Sequence, residues 1–330
     1  MRQRSVGGRG LGCSALGLGC MGLTGAYGAV DAEQAISTVR AAMDAGITLF
    51  DTADVYGPHL GEELLGRALG VRRAEVVVAS KFGGAELGDD GEPLGGPNGR
   101  ADYVRRSVDR ALRRLGTDYI DLYYQHRVDP RVPVEETFGA LGELVAQGKL
   151  RYLGICEAAP ETIRRAHAAA PLSAVQTEYS LFSRQVEENG VLSVARELGI
   201  GFVASSPLGR GFLAGAVRSR EDIAETDLRT GFPRFQGEAI RGNLGVLRAV
   251  EEFAEERGVT PAEASLAWVL AAGEDIVAIP GTRYRSHLDE NVRAAAQDWN
   301  AGLRDALTAL VPAHSVVGDR RSPADTAIEV

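Results

Sequence analysis

Four polar residues lie at the ends of three consecutive apolar runs, where their side chains could carry out proton chemistry. Asp51 ends the run Thr48–Asp51, and Tyr56 lies five residues further on. Lys81 ends the run Val76–Lys81, and His126 ends the run Ile120–His126. A lysine at the end of an apolar strand is costly unless it is paired, and Asp51 is its natural partner. Each of the others has an ordinary explanation when taken alone: Asp51 as a turn cap, Tyr56 as packing at a rim, and His126 as a core histidine.

Together the four residues favour the reduction of a carbonyl group. A tyrosine can protonate a developing alkoxide, but its free pKa of about 10 is high for reversible work near neutral pH. Lowering that pKa by about 3 units requires roughly 4 kcal/mol, which a cation about 4 Å away supplies at an effective dielectric near 20. We therefore expect Lys81, oriented by Asp51, to lower the pKa of Tyr56. Neutral His126 would hold the carbonyl oxygen beside Tyr56 by donating a hydrogen bond.

These side chains meet only if the strands that carry them are parallel neighbours. Eight apolar runs alternate with amphipathic helical patterns, and they are Ala15–Cys20, Thr48–Asp51, Val76–Lys81, Ile120–His126, Tyr152–Cys156, Ala174–Glu178, Gly201–Ser206 and Ile276–Pro280. This alternation predicts a parallel sheet, and eight units most simply close into a (β/α)8 TIM barrel, with a doubly wound open sheet as the competitor. In a barrel, the carboxyl ends of all strands face one opening.

Helix signals and loop lengths fit the same architecture. Asp31 is expected to cap a helix that stops at Gly46, and two further helices are expected to stop at Gly116 and Gly148. Two long loops, 83–100 and 209–239, follow the third and seventh strands, on the side where barrel enzymes keep their active sites. No linker composition divides the chain, so we expect residues 1–330 to form one domain with a loose tail from about residue 312.

Composition narrows the function classes. The chain has 330 residues, a formal net charge of −9 and 45% hydrophobic residues, which is ordinary for a globular protein and argues against nucleic-acid binding. The three cysteines (Cys13, Cys20, Cys156) lack CxxC spacing and indicate reduced thiols. No apolar run approaches the length of a membrane span, so we expect a soluble, cytoplasmic protein that does not enter membranes. All but two of the 36 basic residues are arginine, the exceptions being Lys81 and Lys149.

One glycine motif departs from its usual meaning. Gly17-Leu-Gly19-Cys-Met-Gly22 is a literal GxGxxG after a strand, but a Rossmann site requires the third glycine to open a helix. Here loop residues follow, and the first helical pattern begins only at Asp31. We therefore expect no Rossmann domain, and we interpret these small residues as a strand whose end a ligand can approach.

The order and spacing of several motifs resemble the aldo-keto reductase family. The matching segments are FDTADVYG at 50–57, EELLG at 62–66, Ser80-Lys81, YQH at 124–126 and IPGT at 279–282. The resemblance extends over most of the chain and is closest to the bacterial and plant branch of pyridoxal-type, broad-specificity reductases. It implies a (β/α)8 barrel with Asp51, Tyr56, Lys81 and His126 as the catalytic tetrad. It further implies direct hydride transfer between nicotinamide C4 and the carbon of an aldehyde or ketone, with Tyr56 as the proton donor.

The resemblance also implies a dinucleotide extended across the barrel mouth. The residues it assigns to cofactor binding are Met21, Cys156, Glu157, Gln176, Ser205, Pro207, Leu208, Gly209, Gly211, Gly281, Thr282, Arg283, His287, Glu290 and Asn291. Cys156, Glu157 and Gln176 match positions that hold the nicotinamide carboxamide, and the glycines of 205–213 match a phosphate-gripping loop. Arg283 and His287, at the start of the last barrel helix, form the cationic cluster that an acidic chain needs for a 2′-phosphate, which favours NADPH over NADH.

For three of these assignments, a role in the fold is the alternative to a role in cofactor binding. Cys156 is a weaker donor than the Ser or Thr usual in the family, and it could equally be a small residue that ends a strand. Ser205 cannot stack on the nicotinamide ring as an aromatic residue does in many members, and Tyr179 is the candidate to replace that contact unless it lies in the core. The cluster at Arg283 could be a solvated basic helix start.

Two other functions stay open from the residues alone. The β-subunits of potassium channels bind the cofactor on this fold and keep the tetrad, so a cofactor-binding regulatory subunit is the alternative. A barrel enzyme that uses Asp51, Asp54 and His126 as metal ligands is disfavoured because Lys81 would lie in the metal site, and we expect no metal. The partner is expected to be a small-molecule carbonyl substrate, whose identity the sequence does not specify, and no motif indicates the oligomeric state.

Overall fold

Eight short parallel strands form the centre of the computed structural model, which describes residues 1–297 and 299–321. They are β1 (Leu18–Gly19), β2 (Leu49–Asp51), β3 (Val77–Phe82), β4 (Ile120–Gln125), β5 (Leu150–Cys156), β6 (Leu172–Glu178), β7 (Gly201–Ser205) and β8 (Ile276–Ala278). Each pairs with the next in chain order. The segment before β1 pairs with β8 through Leu16 and Ala278, and the Gly17 N–H donates to Ala278 O at 2.8 Å. The sheet is therefore closed, which confirms the predicted (β/α)8 barrel and its eight strands.

Helices pack around this barrel and begin and end where the sequence signals lie. Their bounds are α1 (Ala32–Asp44), α2 (Leu60–Leu69), α3 (Ala101–Leu115), α4 (Val134–Ala146), α5 (Pro160–Ala169), α6 (Val191–Glu197), α7 (Gly237–Glu255), α8 (Pro261–Leu270), α9 (Arg285–Ala296) and α10 (Ala301–Leu310). Asp31 Oδ2 accepts the Gln34 N–H at 3.0 Å and so caps α1, as predicted. Gly116 ends α3 in the left-handed conformation that only glycine adopts freely.

Two apolar layers result from the alternation of side chains along the strands. A large outer layer lies between the sheet and the helices. A smaller layer fills the barrel and contains Leu49, Ala79, Ala174 and Val203. Because side chains alternate with a period of two, the residues two positions further along each of these strands also point inward, toward the carboxyl end of the barrel.

A hairpin that the sequence patterns did not predict closes the opposite end. Residues Gln3–Val6 and Leu11–Ser14 pair antiparallel, and Val6 and Leu11 are buried in the inner apolar layer. The guanidinium of Arg4 donates to the carbonyls of Ile276 and Leu270, which ties this hairpin to β8 and α8. The amino-terminal end of the barrel is thereby covered.

The glycines of the GxGxxG motif serve barrel closure. A Cβ atom on Gly17 would lie 2.9 Å from Ile279 Cγ2, and one on Gly19 would lie 2.8 Å from Ile279 O. The lack of side chains at Gly17 and Gly19 therefore lets the backbone at β1 lie close to Ile279, just beyond β8. From the sequence, these small residues were expected to let a ligand approach the end of the strand. A short 3-10 turn, Met21–Thr24, follows them in place of the helix that a Rossmann site requires.

The two long loops lie at the carboxyl ends of β3 and β7, as predicted. The first contains a small hairpin, in which Glu86–Leu87 pairs with Pro93–Gly95, and the second is built from 3-10 turns. No helix among the described residues has the length and apolarity needed to cross a membrane.

The carboxyl-terminal segment makes definite contacts where a loose tail is predicted. The Asn243 side chain accepts the Val317 N–H at 2.7 Å and donates to Val317 O at 3.0 Å. Arg234 Nε donates to Gly318 O at 3.0 Å. The segment is thus bound to the barrel through its described part, and residues 322–330 of the predicted tail lie outside the described residues.

Candidate active site

The inward-facing positions at the carboxyl ends of the strands bring the predicted polar residues together. Asp51 ends β2, Lys81 is the fifth residue of β3, and Gln176 lies on β6, each two residues beyond an apolar residue of the inner layer. His126 directly follows β4, and its N–H donates to Phe82 O at 2.8 Å, which continues the ladder between β3 and β4. The barrel therefore gathers these side chains at one mouth, as predicted.

Lys81 and Asp51 form a fully buried ion pair. The Lys81 ammonium donates to Asp51 Oδ1 and, at 2.8 Å, to Thr52 O. The other carboxylate oxygen, Asp51 Oδ2, accepts the Gln176 amide N–H at 2.8 Å. Burial pulls the pKa of Lys81 down, but the charge and hydrogen bond of Asp51, together with Tyr56 and Cys156, outweigh it and leave the pKa above its ordinary value. Lys81 is therefore a fixed positive charge, as a buried lysine must be paired to remain.

Tyr56 lies next to this charge. Its hydroxyl is 3.5 Å from Lys81 Nζ. Burial raises the pKa of Tyr56 to about 12, although the Lys81 charge acts in the lowering direction. The expected net lowering of this pKa is therefore wrong in sign, because burial penalises the phenolate by more than Lys81 stabilises it. The phenol is fully protonated at neutral pH, which is the state that a proton donor requires.

His126 faces Tyr56 across the mouth. The two rings are nearly perpendicular, with centroids 6.1 Å apart. Burial, together with the charges of Arg127, Lys81 and Arg321, holds the pKa of His126 well below its usual value. The imidazole is therefore neutral at pH 7, as predicted, and one of its nitrogens carries a proton that it can donate.

A buried carboxyl group shapes the turn that carries Tyr56. Asp54 accepts the backbone N–H groups of Val55 and Gly83, and burial raises its pKa well above the ordinary range. Its own N–H donates to Lys81 O at 3.2 Å. Asp54 thus joins the turn after β2 to the chain after β3. From the sequence alone, the role considered for Asp54 was that of a metal ligand, which Lys81 disfavoured.

The residues assigned to the nicotinamide carboxamide also lie at this mouth. Cys156 ends β5, and burial raises the pKa of its thiol to about 12, so it is a neutral group. Glu157 follows in a left-handed conformation, and its Oε1 accepts the Glu178 N–H at 2.9 Å. Arg320 and Arg321 both bind its carboxylate, with nearest distances of 2.9 and 2.8 Å. Burial raises the pKa of Glu157, but these two arginines lower it to about 2.

The assigned phosphate loop has an unusual backbone. Ser206, Gly209, Arg210 and Gly211 all have positive φ values, two of them without the freedom of glycine. Pro207 and Gly209 are buried, whereas Ser205, Leu208 and Gly211 are half-buried. Left-handed residues are common in loops whose peptide N–H groups bind anions. Here the Gly209 N–H donates to Ser206 O at 2.9 Å and the Gly211 N–H donates to Leu208 O at 3.1 Å, so the loop is held by its own hydrogen bonds.

Charged and aromatic groups support this loop. Arg210 reaches Glu178 at 3.3 Å and the Tyr27 hydroxyl at 3.5 Å. Leu228 N donates to Ala26 O at 2.9 Å, so the loops after β1 and β7 meet above the mouth. The sequence contained no signal for this pairing, since these loops are about 200 residues apart and neither is periodic.

The residues assigned to the adenosine end cluster at the start of α9. Gly281 is exposed, Thr282 and Asn291 are buried, Arg283 and Glu290 are half-buried, and His287 is exposed. Arg283 already donates to Gly28 O at 2.8 Å and to Ala29 O at 3.2 Å, so its guanidinium lies between α9 and the loop after β1. Met21 is half-buried in the 3-10 turn of that loop.

Tyr179 does not take the place of an aromatic residue at Ser205. It is fully buried, packs on Trp268 and Phe202, and donates its hydroxyl proton to Glu187. The structural alternative for this residue, a place in the core, is therefore the correct one.

The structure thus defines a (β/α)8-barrel protein with a polar site at the carboxyl mouth, and its relatives make the class specific. Residues 15–301 match the aldo/keto reductase family. Over 318 residues the chain is 46% identical to "Probable aldo-keto reductase 1" of Glycine max, which covers 96% of this chain and 90% of that protein.

Solved structures show the same likeness. The glycerol dehydrogenase AKR11B4 from Gluconobacter oxydans superposes with a TM-score of 0.82 at 28% identity, covering 94% of this chain and 96% of that one. The aldo-keto reductase AKR11C1 from Bacillus halodurans, in its holo form, has a TM-score of 0.78 at 28% identity, covering 95% and 97%. The chain belongs to the aldo-keto reductase family, as its motifs predicted, and it is an oxidoreductase of the class that uses nicotinamide cofactors.

Proposed function

We propose that the protein is an NADPH-dependent reductase of an aldehyde or ketone, reversible in direction, with Tyr56 as the proton donor. The observation that carries this proposal is the buried Lys81 ammonium, bound by Asp51 and 3.5 Å from the Tyr56 hydroxyl. A positive charge at that point stabilises the phenolate that forms when Tyr56 gives up its proton. Because burying a lysine is costly, its position beside the half-buried Tyr56 phenol supports a catalytic use of the charge.

The chemistry divides between the cofactor and the four side chains. When bound, the reduced nicotinamide supplies the hydride to the carbonyl carbon. Tyr56 transfers its hydroxyl proton to the carbonyl oxygen, which leaves an alcohol and a phenolate. Lys81 stabilises that phenolate, and Asp51 keeps Lys81 in place. Neutral His126 donates a hydrogen bond to the same carbonyl oxygen and so orients it toward Tyr56.

The residues around the mouth have a donor set that fits a dinucleotide. Gln176 donates an amide N–H to Asp51, and its carbonyl oxygen can accept a hydrogen bond from the nicotinamide carboxamide. Cys156 and Glu157 are proposed as its neighbours there. The left-handed backbone at Ser206 and 209–211 supports a pyrophosphate-binding role, because such turns can expose peptide N–H groups to an anion. Ser205, Pro207, Leu208, Gly209 and Gly211 are proposed to hold that part.

The adenosine end is proposed to lie at the start of α9. The helix amino terminus and the guanidinium of Arg283 both favour an anion, which supports a 2′-phosphate and therefore NADPH. The remaining residues proposed for this end are Gly281, Thr282, His287, Glu290 and Asn291, with Met21 across the mouth.

The direct test is turnover. Purified protein is mixed with NADPH or NADH and a panel of aldehydes, ketones and pyridoxal, and cofactor oxidation is followed. The proposal expects many turnovers per protein molecule with NADPH and fewer with NADH. A single turnover followed by no further reaction would indicate a cofactor-binding regulatory subunit, and equal use of both cofactors would contradict the assignment of NADPH.

Tyr56→Phe tests the proton donor. The change removes one hydroxyl, so kcat should fall by about 100-fold or more while NADPH binds nearly as before. Tyr119→Phe is the matched control, because Tyr119 immediately precedes β4 at the opposite end of the barrel. A Tyr56→Phe variant with nearly full turnover would exclude Tyr56 as the donor.

A further inference from the structure

Within the described part of the chain, His126 has no hydrogen bond at Nδ1, a nitrogen that often orients a catalytic imidazole. Among the residues that the structure describes, His126 Nδ1 is buried and has no hydrogen-bond partner. In many enzymes a carboxylate or carbonyl at this nitrogen fixes the ring. Among the described residues, the position of this side of the ring is therefore set by packing.

The chain after β3 lies directly against that ring. A Cβ atom on Gly84 would be 2.8 Å from His126 Nδ1, 3.3 Å from Cγ and 3.5 Å from Cε1. Three ring atoms on one side of the imidazole thus face the bare Cα of Gly84. The first of these distances is shorter than real Cβ atoms show, so any side chain at position 84 would displace the ring.

The backbone does not itself require glycine at this point. Gly83 has a φ of 74°, in the left-handed region, whereas Gly84 is not among the glycines with positive φ. Glycine at position 83 therefore serves the turn, and glycine at position 84 serves the space beside His126.

The path of this segment is fixed on both sides. The Gly83 N–H donates to the buried Asp54 carboxyl group, and the His126 N–H donates to Phe82 O at 2.8 Å. The backbone of position 84 is thus held in register with the backbone of His126. Because neither chain is free to retreat, the contact between Gly84 and the ring is a fixed boundary.

We propose that Gly84 is a positioning residue whose missing side chain sets where the His126 imidazole lies. This inference rests on the proposed function, in which His126 orients the carbonyl oxygen. With Nδ1 turned to Gly84, Nε2 is the nitrogen left to meet the substrate, and it must carry the proton. A methyl group at position 84 pushes the ring by roughly half an ångström, away from the place where it meets the oxygen beside Tyr56.

Gly84→Ala is the test, with Gly96→Ala as its matched control. Gly96 lies in the same loop, has no positive φ, and a Cβ there would meet nothing within 4 Å. We expect Gly84→Ala to lower kcat by about 10-fold or more and to leave the dissociation constant of NADPH within about twofold of the parent value. Gly96→Ala should match the parent in both.

A double-mutant cycle identifies the route of the effect. In a His126→Ala background, Gly84→Ala should cause almost no further loss, because the displaced ring is gone. An equal loss in both backgrounds would overturn the inference. If His126→Ala alone keeps nearly full turnover, the proposed function of His126 fails; if His126→Ala is inactive and Gly84→Ala is not, only the Gly84 inference fails.

Ring position also has a readout that does not depend on turnover. The chain has five histidines, so the imidazole signals of His126 can be assigned by NMR against His126→Ala. They should shift in Gly84→Ala and stay in place in Gly96→Ala. If Gly84→Ala does not fold, the double variant with His126→Ala should fold, since the clash is removed. Failure of both to fold, or unshifted His126 signals in a folded Gly84→Ala, would overturn the proposal.

Discussion

At the scale of single residues, the pKa of Tyr56 sets the protonation state on which the proposed proton transfer depends. Burial raises it to about 12, with Lys81 lowering and Asp51 raising it within that total. In the proposed mechanism, reduction uses the protonated phenol, which is present in full below this pKa. Oxidation of an alcohol uses the phenolate, which is scarce at neutral pH. At neutral pH, Tyr56 is therefore in the protonation state that the proposed reduction uses.

This protonation state predicts opposite pH dependences for the two directions. From pH 6 to about 9, kcat/KM for reduction should not fall through ionisation of Tyr56, whereas kcat/KM for oxidation should rise about tenfold per pH unit. Both profiles are measured with saturating cofactor. A reduction profile that falls with a midpoint near pH 7 would show that Tyr56 ionises far below the value its burial indicates.

Lys81→Arg tests whether position or charge alone matters. The ammonium contacts Asp51, Thr52 O and Tyr56 in a fully buried space, and a planar guanidinium is wider. The charge should therefore lie farther from Tyr56 or displace it, and kcat should fall by about 10-fold or more. Because Lys81 lowers the pKa of Tyr56, a more distant charge should raise that pKa further, which a pH–rate profile of oxidation measures.

The second lysine of the chain provides a matched control for this substitution. Lys149, the other lysine, pairs with Asp109 on the surface and is partly exposed. Lys149→Arg makes the same substitution far from Tyr56 and should leave the rate and the profile unchanged. Parent-like kinetics for Lys81→Arg as well would mean that any cation in this place is sufficient.

The part of the site that could be predicted follows from the alternation of side chains along parallel strands, in which every second residue points into the barrel. Asp51 and Lys81 each lie two residues beyond a buried apolar residue, so the sequence placed both at one mouth. The same rule would have joined Gln176 to Asp51, since Ala174 precedes it by two on the inner face. The sign of the Tyr56 pKa was not predictable, because the desolvation of the phenolate depends on packing that no motif encodes.

At the scale of elements, the start of α9 is joined to the loop after β1 by Arg283. The guanidinium donates to the carbonyls of Gly28 and Ala29, and the Gln34 and Thr38 side chains donate to Arg283 O. A half-buried arginine held between two elements keeps its free donors in a fixed direction. This rigidity supports the proposed contact of Arg283 with a 2′-phosphate.

Arg283→Ala should therefore affect the two cofactors unequally. Loss of a charge-assisted contact to a 2′-phosphate should weaken NADPH binding by about 1–3 kcal/mol more than NADH binding. Binding of both is measured by titration of the intrinsic fluorescence. Arg285→Ala is the control, since Arg285 is largely exposed and pairs with Asp289 one turn further on. Equal losses for the two cofactors would mean that Arg283 only holds the loop.

At the scale of the whole molecule, the ends of the chain complete the barrel. The segment just before the first strand pairs with the last strand, and the hairpin of residues 3–14 covers the amino-terminal end. The sequence did not predict that hairpin because its strands have four residues each and adjoin glycine-rich turns, which gives too short a pattern to detect. The contacts of the segment 312–321 were not predictable for the same reason, since it has no periodicity.

Arg4 shows what this closure contributes to stability. Its side chain is buried, and it satisfies the carbonyls of Ile276 and Leu270, about 270 residues away in sequence. Arg4→Met fills much of the same space but leaves both carbonyls without this donor, so the free energy of unfolding should fall by about 2–3 kcal/mol. Arg9→Met, in the exposed turn of the same hairpin, should change it little.

Urea unfolding, followed by circular dichroism and by tryptophan fluorescence, measures both variants. If residues 1–330 fold as the single domain we propose, the two signals should coincide in one transition, and Arg4→Met should shift that whole transition to lower urea. Because Arg4 lies at the end of the barrel opposite Tyr56, kcat should stay at the parent value. A separate early transition in Arg4→Met would show that the hairpin unfolds alone, and a matching loss of kcat would show that the two ends of the barrel are coupled.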